Sequence, residues 1–131
     1  MDLILCVNDE PRNLILVTTQ LLLENYQVVT ASVQEDAIEL ARLLRPRLIF
    51  MDLVLHNGTG WEATRAIKEL DDISAMTPII VISARSDAAD KARAFAAGAD
   101  EYLTKPYDVK ELKALVKRYL HPSGERGVLT G

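Results

Sequence analysis

A chain of 131 residues is one ordinary domain, long enough to bury its own core without disulfide or metal staples. Its composition, 49% hydrophobic and 26% charged, is globular with no repeat or low-complexity tract, and a formal charge of −4 argues against direct nucleic-acid binding, which needs clustered Lys and Arg. No apolar run approaches the ~20 residues that span a bilayer, and strand-like sequence from Leu3 leaves no room for a signal peptide, so a cytoplasmic protein without membrane contact is expected.

The first predicted strand is "LILCV" (3 to 7). Its Cys6 is the only cysteine, cannot close an internal disulfide, and reads as a small buried hydrophobe. Pro11 fits the first turn of the helix "PRNLILVTTQLLLEN", where a missing N–H costs nothing, and Asn25 sits where that helix must reverse. Leu14 to Val17 and Leu21 to Leu23 make this helix more apolar than one buried stripe requires. The excess is either an exposed docking face or deeper burial. The second strand is "VVTA" (28 to 31); "SVQE" from Ser32 offers a capping box to the next helix, which stops before Pro46.

"LIFM" (48 to 51) is the third strand and runs into Asp52, after which Gly58 and Gly60 permit conformations that other residues resist. "TGWE" from Thr59 caps the third helix. The fourth strand, "IIVIS" (79 to 83), is followed by the Ala-rich helix "SDAADKARAFAAG", which suits a thin, movable element, although Ala is also simply a good helix former. The fifth strand is "EYL" (101 to 103), and "DVKE" from Asp108 opens a last helix that ends before Pro122. Residues 1–120 are expected to form one domain. The closing "HPSGERGVLTG", residues 121–131, is too short and polar for an output module and reads as a tail or linker.

Strands apolar at nearly every position are covered on both faces, which predicts a parallel sheet between helices. Right-handed crossovers then favour an α/β, doubly wound, five-stranded sheet in the order 2-1-3-4-5. Its ligand site lies beyond the carboxyl ends of strands one and three, where Asn8, Asp9 and Glu10 meet Asp52. Clustered carboxylates repel one another and invite a cation, and hard oxygen ligands with room for water suit Mg²⁺. Asp9 could alternatively do no more than cap the first helix. Ser83 and Lys105 add a hydroxyl and an ammonium at the same edge, a set that suits a phosphoryl group.

The "NDE" corner, Asp52 after its strand, Gly60 eight residues on, "SA" at 83 and 84 and "GADEYLTKP" from 98 to 106 resemble the response regulator receiver domain of two-component signalling. The resemblance implies the flavodoxin-like (βα)5 receiver fold. It implies that Asp52 is the phosphoacceptor, that Asp9, Asp52 and the backbone carbonyl of Val54 ligate Mg²⁺, and that Asn8 acts through a water. Ser83 would bind a phosphoryl oxygen, Lys105 would pair with Asp52 or its phosphate, and Tyr102 would be the aromatic switch that turns inward as Ser83 moves. A cis peptide before Pro106 is expected. The implied phosphodonor is a histidine kinase or histidine phosphotransfer protein, docking on the first helix. Such a domain is not an enzyme in the usual sense, but it assists its own phosphorylation and dephosphorylation.

The chain also departs from the family pattern. Asn8 stands where relatives usually carry an acid, which predicts weaker Mg²⁺ binding, and His56 stands where Pro is usual and reads as a solvated loop residue. Val54 and Arg85 flank the path of an attacking water; valine cannot orient it, so slow self-dephosphorylation is expected. Leu115 replaces an Arg of the usual dimer face, making that homodimer less favourable while leaving another possible. The rival reading is a receiver-shaped interaction module working without phosphorylation. A haloacid dehalogenase would need a second acid at position 54, and a flavin carrier would need a hydroxyl- and Gly-rich phosphate loop in place of "NDEPRN".

Overall fold

The computed structural model describes residues 2–55, 58–85 and 87–121. Its elements in chain order are β1 (Leu3–Val7), α1 (Pro11–Leu23), β2 (Gln27–Ala31), α2 (Gln34–Leu44), β3 (Leu48–Asp52), β4 (Val54–Leu55), β5 (Gly58–Thr59), α3 (Gly60–Lys68), α4 (Asp72–Met76), β6 (Ile79–Ser83), α5 (Ala88–Ala97), β7 (Glu101–Thr104) and α6 (Val109–Leu120). Five of the strands form one parallel sheet in the order β2-β1-β3-β6-β7, the expected 2-1-3-4-5 order counted over the long strands. The antiparallel β4–β5 pair and the short α4 were not anticipated.

Alternation along each strand divides the core into two layers. Leu5, Val7, Ile49, Met51 and Val81 pack with Ala37 of α2, Ala63 and Ile67 of α3 and Ala94 of α5. Ile4, Cys6, Phe50, Ile80 and Ile82 face the opposite way, onto Val17 and Leu21 of α1 and Leu112, Leu115 and Val116 of α6. Each buried Ile or Leu contributes about 2 kcal/mol relative to an exposed one. Cys6 belongs to this interior, and burial pushes its thiol pKa up to about 12, which makes it an inert packing residue. Leu115 also points inward, so its position adds no charge to the α6 surface.

Local chemistry sets most helix starts. Thr59 Oγ1 accepts from the Glu62 N–H at 3.2 Å while Glu62 Oε1 accepts from the Thr59 N–H at 3.1 Å, the reciprocal cap expected of "TGWE". Glu111 Oε1 accepts from the Asp108 N–H at 3.0 Å. The α2 expectation fails by one residue: its N-cap is Val33, not Ser32, and no side chain caps it. Glu35 and Asp36 in the first turn supply the negative charge that the helix dipole favours instead. Glu10 caps α1, accepting from the Arg12 N–H at 2.8 Å, so Asp9 is not the α1 cap. Asn25 adopts φ 68°, the left-handed reversal its identity predicts.

Candidate functional site

Register brings the candidate residues to one edge. β1 and β3 pair through Val7 and Met51, so Asn8 and Asp9 leave the sheet level with Asp52. Asp52 lies opposite Ile82, one residue before Ser83; Ser83 lies opposite Thr104, one residue before Lys105. The Lys105 N–H donates to the Ser83 carbonyl at 2.8 Å, which carries the β6–β7 ladder one step beyond the strands.

Asp52 ends the most buried strand. Burial raises its pKa above the usual carboxylate value; the Lys105 ammonium and the N–H groups of Leu53 and Val54 oppose that rise, and the Asp9 charge reinforces it. The net direction is upward, so desolvation outweighs the local positive charge. A carboxylate in this state gains from an arriving cation. Asn8 is buried beside it, and its side-chain oxygen accepts from the Glu10 N–H at 2.8 Å. The second lone pair of that oxygen remains able to accept from a water. Asn8, Asn13 and Asp52 line the same cleft.

The donor set fits a hard divalent cation. Asp9 and Asp52 supply two carboxylates, and among the described residues no group of three or more His, Cys, Asp and Glu forms a protein-only metal cage. Two carboxylates, a carbonyl and waters are the usual complement for Mg²⁺, which sheds its waters reluctantly. Val54 sits in β4, paired with Thr59, and its side chain is more than half exposed. Gly60 keeps this turn closed: its N–H donates to the Leu53 carbonyl at 2.8 Å. A Cβ at Gly60 would collide with the Asp52 carbonyl oxygen and lie 3.0 Å from Leu53 Cα. The expectation of unusual backbone therefore holds for Gly58, with φ +140°, whereas Gly60 is needed for close approach. The Lys105–Pro106 peptide is cis, as expected. His56 lies outside the described residues.

Ser83 is buried, and its Oγ accepts from the Arg85 N–H at 3.0 Å. Tyr102, half-buried on β7, donates its hydroxyl to the Arg85 carbonyl at 2.7 Å. On the neighbouring flank, Ile15, Leu16, Leu22 and Leu23 of α1 remain 53 to 69% exposed, while Val17 and Leu21 are buried. The α1 excess is thus apolar surface, not deeper core. Leu16 joins Gln20, Lys105, Pro106, Tyr107 and Val109 along a groove of about 340 Å³ that runs up to the site.

A family model for the response regulator receiver domain matches residues 4–117. The chain belongs to that family. The transcriptional regulatory protein KdpE of Mycobacterium tuberculosis is 36% identical over 122 residues, covering 90% of this chain and 52% of KdpE. The heme response regulator HssR of Staphylococcus aureus is 34% identical over 119 residues, 88% of this chain and 51% of HssR. The chain spans about half the length of these curated relatives. Among solved structures, the receiver domain of the sensor histidine kinase PA1611 from Pseudomonas aeruginosa, with a magnesium ion coordinated in its active site cleft, matches at TM-score 0.84 and 30% identity over 90% of this chain and 96% of that one. The BeF3-activated DrrB receiver domain matches at TM-score 0.81 and 32% identity, over 92% and 97%.

This receiver domain contains site features that sequence reasoning did not find. Asn13 lines the Asp52 cleft from the first turn of α1, and Arg85 touches both Ser83 and Tyr102 through its backbone. Helical spacing from Pro11 could have pointed to Asn13; nothing in the sequence signals the contacts of Arg85. No helix among the described residues is long and apolar enough to cross a membrane.

Proposed function

We propose that this receiver domain accepts a phosphoryl group on Asp52 from a histidine kinase or histidine phosphotransfer protein, in an Mg²⁺-dependent step that switches a protein-interaction surface. A carboxylate oxygen of Asp52 forms the new O–P bond as the donor's N–P bond breaks, and the electron pair of that bond stays with the donor imidazole. Asp9, Asp52 and the Val54 carbonyl would hold Mg²⁺, with Asn8 bonded to one of its waters. Bound there, the metal supplies positive charge to the phosphoryl oxygens. Lys105 pairs with the carboxylate and then with the phosphate, and the Ser83 hydroxyl donates to a phosphoryl oxygen. Tyr102 follows Ser83 and reads out the change. The domain works as a phosphoacceptor that assists its own phosphorylation and hydrolysis.

The observation that carries this reading is the desolvated Asp52, raised in energy by burial and by Asp9, with Lys105 opposing both. A purely structural acid would gain nothing from that arrangement. The exposed apolar residues of α1 and the adjoining groove support docking of a helical phosphodonor beside Asp52. We take residues 1–120 as the signalling body, with residues 121–131 as tail or linker, in a cytoplasmic setting without direct nucleic-acid contact; a homodimer remains compatible with the exposed apolar faces. The test is intact-mass measurement after incubation with Mg²⁺ and a small acyl phosphate. The expected result is one added phosphoryl group, abolished by EDTA and by Asp52→Asn. An unmodified chain would instead favour an interaction module that works without phosphorylation.

A further inference from the structure

We infer that Arg85 is the positioning residue that ties Ser83 to Tyr102 in this chain, and that its ion pair with Asp90 holds the tied arrangement in place. Three contacts meet on this residue. Its N–H donates to Ser83 Oγ at 3.0 Å, its carbonyl accepts from the Tyr102 hydroxyl at 2.7 Å, and its Nε lies 3.6 Å from Asp90 Oδ2. The two backbone contacts could be made by any residue here. The third needs a cation.

Asp90 is a suitable anchor. It sits in the first turn of α5, its side chain is only 13% exposed, and its N–H is held by Asp87 Oδ1 at 2.8 Å. The Arg85 side chain is 56% exposed, so the pair joins a fixed, mostly buried acid to a cation that can leave it. Ser83 cannot shift without pulling the peptide after it, and that peptide ends in the carbonyl that Tyr102 uses. Moving the serine therefore changes the tyrosine's acceptor, and the Arg85–Asp90 pair sets how readily the segment moves relative to α5. A partly exposed pair is worth a few-fold in an equilibrium, enough to bias a switch without freezing it.

The inference rests on the proposed roles of Ser83 and Tyr102, and its test is arranged so that the two can fail separately. The full chain, labelled with 3-fluorotyrosine, carries four tyrosines, of which Tyr102 is assigned by loss of its fluorine resonance in Tyr102→Phe. Arg85→Gln, Asp90→Asn, the double variant and Arg85→Lys are compared, first without metal or phosphate analogue and then during titration with beryllofluoride and Mg²⁺. Each neutralising variant should move the unliganded Tyr102 resonance toward its solvent-exposed position and weaken beryllofluoride binding about two- to fivefold. The double variant should be no weaker than either single one, Arg85→Lys should recover most of the loss, and high salt should move the parent toward the variants. Additive effects in the double variant, or an affinity loss with an unmoved Tyr102 resonance, would overturn the coupling. A parent that binds no beryllofluoride would count against the phosphoacceptor reading alone, because the unliganded resonance still tests Arg85.

Discussion

Asp52 should destabilise the metal-free domain at neutral pH, and removing its charge should raise the melting temperature. The cause is burial: desolvation of the carboxylate outweighs the help it receives from Lys105 and from the Leu53 and Val54 N–H groups, and Asp9 adds repulsion. Asp52→Asn keeps the shape and an oxygen that can still accept from those N–H groups, so chiefly the charge is lost. Relieving a strained functional residue typically stabilises by about 1 kcal/mol. For a chain of 131 residues, an unfolding entropy of ~2.1 cal/mol/K per residue turns that into about 4 °C. The assay is a thermal melt of parent and variant at pH 7 in EDTA, repeated with Mg²⁺ at ten times its Kd. That concentration should stabilise the parent by about 1.4 kcal/mol, roughly 5 °C, and the variant far less.

The sign of the pH dependence follows from the same shift. The folded-state pKa of Asp52 lies above its ordinary value of 3.8, so the fold favours the protonated acid; the relative stability of the parent is greatest at low pH and is lost as pH rises through the folded-state pKa. The gap between variant and parent should therefore open with rising pH and close on acidification. Asp71, held below the usual carboxylate range by the Ser74 N–H and by Arg45, works in the opposite sense, but it is present in both proteins and cancels in the difference. A variant that melts at or below the parent in EDTA at pH 7 would refute the reasoning.

Gly60→Ala should cost about 1–3 kcal/mol, because its methyl group would meet the Asp52 carbonyl and no flexible side chain is there to yield; chemical denaturation measures it, and an unchanged midpoint counts against the close approach. Thr64→Val should be neutral or stabilising by up to ~1 kcal/mol in the same assay, since Thr64 is buried with an unpartnered hydroxyl, whereas a loss above that range would mean that the hydroxyl has a partner. Val54→Asn should hydrolyse its acyl phosphate at least several-fold faster, because an amide beside Asp52 can orient an attacking water; loss of the added phosphoryl mass with time gives the rate, and a rate no higher than the parent's rejects the role of Val54. Native-state hydrogen exchange should protect β3 amides up to the global unfolding free energy and α5 amides less, and equal protection would remove α5 as the movable element.

Much of the fold was legible because the long strands are apolar at nearly every residue, a pattern that only a sheet covered on both faces explains. The β4–β5 pair was not, since two-residue strands are too short to show a period. Nor was α4: Asp71 caps it through the Ser74 N–H at 2.8 Å, but Ile73 and Met76 point outward, Met76 with 81% exposure, so no buried stripe announces a helix. Ser32 misled for a related reason, because capping residues are common near helix starts and sequence spacing does not say which backbone N–H the hydroxyl will reach. Asp9, Asp52, Ser83 and Lys105 could be placed together from sequence because strand ends of a doubly wound sheet share one edge. The Arg85–Asp90 pair crosses a loop whose path no propensity describes.

The site's chemistry and its mobility come from different kinds of packing. β3 is held by Leu48, Ile49, Phe50 and Met51, all fully or almost fully buried, so Asp52 cannot escape its desolvation by moving the strand beneath it. α5, by contrast, faces the sheet with Ala94 and Ala97, and its one large apolar residue, Phe95, is about half exposed. A methyl group contributes far less burial than an isoleucine or leucine, which leaves α5 among the less strongly anchored helices next to the most strongly anchored strand. Charge added at Asp52 must therefore be accommodated on the side that can yield: the segment from Ser83 to Arg85, Tyr102 behind it, and α5. The rigid strand concentrates the electrostatic cost on one carboxylate, and the alanine-faced helix turns relief of that cost into movement of a surface.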